Sequence, residues 1–151
     1  MIKISNHITY AEATKSRTAT ANGITWNTPT DEHLDNMIRV AVECFEPLRN
    51  HFNVPIAVTS FYRCERLNQL VNGSKTSDHL TGSAIDIDAD RYGGLTNVDI
   101  MTWIYNNVEY DQLIYEYGEW VHVSKKAQKN RRESLQCTIK NHKLIYETWH
   151  P

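Results

Sequence analysis

Two short stretches carry the side chains whose types and spacing can do chemistry. Ser77-Asp78-His79-Leu80-Thr81-Gly82-Ser83-Ala84-Ile85-Asp86 places a histidine in a loop and a carboxylate seven residues on, and Glu119-Trp120-Val121-His122 supplies a second histidine. Neutral imidazole and carboxylate are good zinc ligands, and three protein ligands leave the fourth tetrahedral position for a reactive water. His79, Asp86 and His122 make such a set for one zinc ion. On a strand, Ala84, Asp86 and Asp88 face one way, so Asp86 and a neighbouring-strand His122 can aim at one point while His79 reaches in from its loop. Gly82 permits the tight turn between the first two ligands. Glu119 lies three residues before His122, at a turn, and is expected to be the general base that takes a proton from the attacking water. Arg63, at a strand-to-helix corner, is expected to supply fixed positive charge to an oxyanion or a substrate carboxylate.

Other polar residues near these stretches admit two readings each. Ser77 either caps a turn through its hydroxyl or touches substrate. Trp120, on the same strand face as His122, walls a substrate cleft or packs in the core. Asp88 shares a face with Asp86 and either orients a ligating histidine or is solvated.

These residues must be positioned by an irregular series of elements. Thr9 and Glu12 have capping-box spacing and predict a helix ending near Asn22-Gly23. Leu34, Met37, Ile38, Ala41, Phe45, Leu48 and Phe52 recur at steps of three and four, predicting an amphipathic helix over about 31–51 with a kink at Pro47. Residues 56–60 read as a short buried strand that delivers the chain to Arg63, and 65–71 as a helix stopped by Asn72-Gly73. A strand over 83–89 is followed by a helix marked by Val98, Met101, Ile104, Tyr105 and Val108. Antiparallel strands over 111–117 and 120–124 should join around Gly118, and a last hairpin should turn at Asn141-His142. This order predicts an α+β fold, a small, mostly antiparallel sheet with flanking helices, not regular βαβ winding.

The 151 residues, 40% hydrophobic and without linker or repeat, suit one domain over 1–151. No apolar run has the length of a membrane helix, and the opening residues lack the apolar stretch of a secretory signal, so the expectation is synthesis in the cytoplasm without membrane insertion. A net charge of -2 does not announce a nucleic-acid partner. Seven basic residues between Lys125 and Lys143, against the single acid Glu133, form either a solvated surface or an attraction for an anionic partner. Cys44, Cys64 and Cys137 have no metal-binding spacing and read as free thiols.

Taken together, the residues carry a family resemblance. The chain resembles the zinc D-alanyl-D-alanine carboxypeptidase family, whose members cut peptidoglycan stem peptides and include phage L-alanyl-D-glutamate endopeptidases. It matches the pattern S-x-H-x-x-G-x-A-x-D through Ser77, His79, Gly82, Ala84 and Asp86, and the later E-x-x-H through Glu119 and His122. Ser60-Phe61-Tyr62-Arg63 and Leu67-Asn68 before Gly73-Ser74 resemble the family's upstream stretches, with Asn72 where the family has a glycine. The resemblance spans about residues 5–124. It implies zinc bound by His79, Asp86 and His122, Glu119 as base, Arg63 and Ser77 at the substrate, and the α+β fold shared with hedgehog signalling domains. It further implies a monomeric peptidase acting on the bacterial cell wall in the manner of a phage endolysin. The alternative is a zinc-stabilised module of the same fold that binds wall material without turnover.

Overall fold

The computed structural model describes residues 2–151. Six strands form one sheet, β1 (Ala57–Ser60), β2 (Ala84–Asp88), β3 (Gln112–Glu116), β4 (Trp120–Ser124), β5 (Glu133–Lys140) and β6 (Lys143–Thr148), in the order β1-β2-β4-β3-β5-β6. Every pairing is antiparallel except β3 with β5, which is parallel. The α+β architecture expected from the sequence is therefore present.

Strand alternation splits the sheet into two chemically different faces. Ile85, Ile87, Leu113, Val121 and Val123 point into the core, where α6 (Asn97–Asn107) and the long helix beginning with α3 (Asp31–Val40) cover them. The other face carries Asp86, Asp88, His122, Trp120, Ile114 and Glu116. Burial of the first set holds the sheet rigid; of the second, Asp86, Ile114, Glu116, Trp120 and His122 line a groove.

The long helix is continuous to its last segment, α4 (Glu46–Phe52), through a π-helical turn at Ala41–Phe45. Pro47 explains the widened turn, since it has no N–H for the Glu43 carbonyl four residues back. The Glu46 N–H instead donates to the Ala41 carbonyl, five residues back. Met37, Ala41, Phe45 and Leu48 are buried as the periodicity predicts, but Ile38 is 42% exposed and leaves the apolar face.

The first predicted helix is broken in two. The Thr9–Glu12 capping box opens α1 (Tyr10–Thr14), and Ser16 then accepts from the Ala19 N–H to cap a separate α2 (Arg17–Ala21). α5 (Glu65–Leu70) stops at Asn72, which holds φ 55°, a left-handed conformation that asparagine tolerates better than most residues. β1 is an edge strand and only half-buried, where the sequence suggested a buried one. A bulge between Val58 and Ser60 sets Ser60 opposite Asp86.

Candidate active site

Asp86 and His122 are direct cross-strand partners at the centre of the sheet, which is why their side chains meet. His122 Nδ1 lies 2.9 Å from Asp86 Oδ1, and His79 Nε2 lies 3.1 Å from the same oxygen. His79 arrives on a 3₁₀ turn, Asp78–Thr81, whose start is capped by Ser77 Oγ accepting from the His79 N–H at 3.4 Å. Of the two readings of Ser77, the cap is the one made within the chain, and Ser77 also lines the groove. The turn ends on Gly82 at φ 72°, where a Cβ would stand 2.6 Å from both the His33 carbonyl oxygen and Met37 Cγ. Glycine is required there because the loop lies against the backbone of α3.

The three side chains fit a metal ion. One donor atom from each of His79, Asp86 and His122 lies within 4.8 Å of the other two, and all three residues are buried. His79 Nδ1 donates to the Phe61 carbonyl at 2.6 Å, which fixes the tautomer that turns the Nε2 lone pair to the site. The Phe61 carbonyl thus does the orienting considered for Asp88. Asp88 instead accepts from Asn97 Nδ2 and from the Asp90 N–H. Arg63 donates from its NH2 nitrogen to Asp86 Oδ2 at 3.0 Å and from Nε to Ser60 Oγ at 2.9 Å, so Oδ1 remains for the ion. Arg63 therefore touches a ligand as well as lining the groove, a positioning contact that the residue spacing did not reveal.

The electrostatics follow from this packing. Burial would raise the Asp86 carboxyl, but His79 and His122 beside it hold it far below the ordinary carboxylate range. Burial lowers His79 despite the neighbouring Asp86; burial also acts to lower His122, but the hydrogen bond to Asp86 and the charges of Asp86, Glu116 and Asp78 together outweigh it and raise it. A carboxylate with a lowered pKa between two imidazoles is a donor set suited to a dication.

A groove of about 960 Å³ runs over these donors, walled by residues that include Trp120, Tyr117 and Tyr146. Trp120 packs edge-on against Tyr117 at 5.3 Å between centroids, and its buried indole N–H has no partner among the described residues. Glu119 does not line the groove; it is exposed at the β3–β4 turn, with no side-chain hydrogen bond or ion pair to the donors among the described residues. Glu116 lines it, with Oε1 4.0 Å from His122 Nδ1. Burial, then the Asp86 charge, pushes the Glu116 carboxyl up to about 6. The E-x-x-H spacing drew attention to Glu119 and away from Glu116. Alternation along β3, which sets Gln112, Ile114 and Glu116 on one face, is the signal that could have found it.

The basic segment is largely engaged within the fold. Lys125 is buried with Glu43 Oε2 at 3.2 Å; Lys126 and Arg131 both pair with Asp111; Arg132 donates to the carbonyls of Tyr105 and Val108. All three cysteines are free thiols.

A buried His-Asp-His donor set at the centre of a half-covered sheet, opening on a groove, defines a zinc metallopeptidase. The family model described as Peptidase M15 matches residues 6–124, and the chain belongs to that family of zinc-dependent peptidoglycan peptidases. Comparison with curated proteins finds no match. The hairpin of β5 and β6 lies beyond the matched segment and extends the sheet through the parallel β3–β5 pairing.

Proposed function

We propose that the protein hydrolyses an internal amide bond of the peptidoglycan stem peptide, the bond between L-Ala and D-Glu, as a lytic enzyme of the endolysin type. The observation that carries this reading is the course of the groove. Its walls include Val58 and Ser60 of the edge strand β1 and, at the opposite edge, Leu144 and Tyr146 of β6, while Asp86 and His122 stand on β2 and β4 between them. A substrate lying in it has chain on both sides of the donors, as an internal bond requires and a terminal residue does not.

His79, Asp86 and His122 would hold the zinc, which supplies a Lewis acid and lowers the pKa of water at its open position. Arg63 fixes Asp86 in its ligating orientation. Trp120, Tyr117 and Tyr146 line the groove and offer flat apolar surface to the peptide. No helix of the described residues is long and apolar enough to cross a membrane.

The test is incubation of zinc-loaded protein with purified murein sacculi and mass spectrometry of the soluble products. Fragments with new D-Glu amino termini are expected. Release of free D-Ala alone would make the enzyme a carboxypeptidase. Sacculi that bind the protein and stay intact would favour the non-catalytic module.

A further inference from the structure

We propose that the β5–β6 hairpin is a sugar-binding wing of the groove, on which Tyr146, Leu144 and Ile139 seat the glycan-bearing end of the stem peptide. This rests on the peptidase reading above and adds the direction in which the substrate lies. The hairpin has two unlike faces. Parallel pairing sets Cys137 beside Glu116, and antiparallel pairing sets Tyr146 beside Cys137 and Leu144 beside Ile139, so these residues stand on the face that carries Asp86 and His122. Lys140, Lys143 and Glu147 stand on the other. Ile139 is 62%, Leu144 53% and Tyr146 50% exposed, and the last two line the groove. Apolar residues gathered uncovered on one face of a strand pair carry a cost that a covering ligand removes, and here the patch is continuous with the groove.

The wing is fixed at its base and free at its tip. β5 pairs with β3 as far as Cys137, whose carbonyl accepts from the Tyr117 N–H at 2.9 Å. Ile139 and Leu144 extend past that junction. Charge along the groove selects the part of the substrate that fits there. At the β1 end the walls carry Lys15, Arg17 and Arg91 against Glu12, whose carboxylate is held by the Thr9 N–H and hydroxyl. The residues of β5 and β6 that line the groove, Leu144 and Tyr146, are uncharged. In the stem peptide, D-Glu is linked onward through its side-chain carboxyl and keeps a free α-carboxylate, whereas L-Ala is uncharged and joined through a lactyl group to a sugar. The acidic half suits the cationic end and the sugar half the neutral one. Three strand spacings, about 14 Å, separate β4 from β6. L-Ala with its lactyl link spans about 7 Å when extended, which places the first sugar ring over β5, within reach of Tyr146. There the C–H face of the sugar packs on the tyrosine ring, and its N-acetyl methyl on Leu144 and Ile139.

The experiment uses two substrates with the same scissile bond, a disaccharide-bearing L-Ala-D-Glu peptide and the same peptide capped by a lactyl group alone. Wild type should cleave the first with kcat/KM about tenfold higher, the gain lying in KM. Tyr146→Ser, and Ile139→Ser combined with Leu144→Ser, should each cut that preference to about twofold or less. Tyr146→Phe, which keeps the ring, should retain most of it, and Glu147→Ser, on the opposite face of β6, all of it. A second measurement needs no turnover: zinc-loaded proteins are titrated calorimetrically with the product, disaccharide-L-Ala. Its Kd should rise about fivefold in Tyr146→Ser and in the double variant, and not in Glu147→Ser. Equal melting temperatures show that the variants fold. The proposal is overturned if wild type cleaves both substrates equally, if the preference survives in Tyr146→Ser and the double variant, if Glu147→Ser loses it too, or if product affinity does not change. Sedimentation of wild type as a dimer that the double variant dissolves would give the patch to a second copy and overturn it as well. If wild type cleaves neither substrate while the product binds it and binds the hairpin variants more weakly, the peptidase reading fails and the sugar site stands.

Discussion

Replacing Asp111 by asparagine should weaken the fold by a definite amount that depends on pH. Asp111 is 1% exposed and accepts from the Arg131 backbone N–H at 2.9 Å and from the Arg131 side chain at 3.1 Å (Nε) and 2.7 Å (NH2), with Lys126 Nζ at 3.3 Å. Burial alone would raise its carboxyl, but the hydrogen bonds and charge of Arg131 and the charge of Lys126 lower it to about 2 from an ordinary 3.8. At about 1.4 kcal/mol per unit, that depression is worth about 2.5 kcal/mol. Arg131 is itself 52% exposed, and solvent screening trims the expectation to about 1.5 to 2 kcal/mol. Because the folded value is the lower one, this stability is present above the unfolded value and disappears as pH falls through the folded one. Urea unfolding of metal-free wild type and D111N should therefore show the full gap at about pH 7 and a shrinking one below about pH 4. Metal-free protein keeps acid release of zinc out of the comparison. Equal midpoints at neutral pH, or a gap that does not change with pH, would refute the argument. A confirmed gap would also show that this part of the basic segment secures the start of β3 and β5, where the Glu133 N–H donates to the Asp111 carbonyl, and is not a free surface for the wall.

Three further outcomes follow from the site. Zinc at a hundredfold excess over its dissociation constant should stabilise wild type by about 2.7 kcal/mol and Asp86→Ala hardly at all, read as melting temperature with and without chelator. Gly82→Ala should cost more than about 2 kcal/mol, since it adds left-handed strain to a clash with the His33 carbonyl, and should weaken zinc binding by moving His79; competition with a zinc indicator measures the second effect, and unchanged affinity would detach the loop from the site. Arg63→Lys should lower zinc affinity about tenfold or more through loss of the fixed contact to Asp86 Oδ2, and a change confined to KM with affinity intact would return Arg63 to a purely substrate-facing role.

Read alone, the sequence yields the candidate metal donors and the elements that carry them. His79, Asp86 and His122 were legible because loop, strand and ligand spacing leave few ways to serve one ion, and the structure brings their donors together. The hairpins at Gly118 and at Asn141-His142 were legible because turn chemistry is local, and α6 because its apolar spacing is. Strand order and register belong to the tertiary structure, since they depend on pairings between residues far apart in the chain. The parallel docking of β5 on β3 and the edge position of β1 both arise there. The same is true of the carboxylate beside the donors. Glu119 has the suggestive spacing, but one unpaired residue in the hairpin leaves it in solvent, and the pleat of the neighbouring strand puts Glu116 at the groove. A spacing rule reads distance along one chain segment; which side chain faces the ion is fixed by the register between two strands, because a shift of one residue sends every side chain to the other face of the sheet.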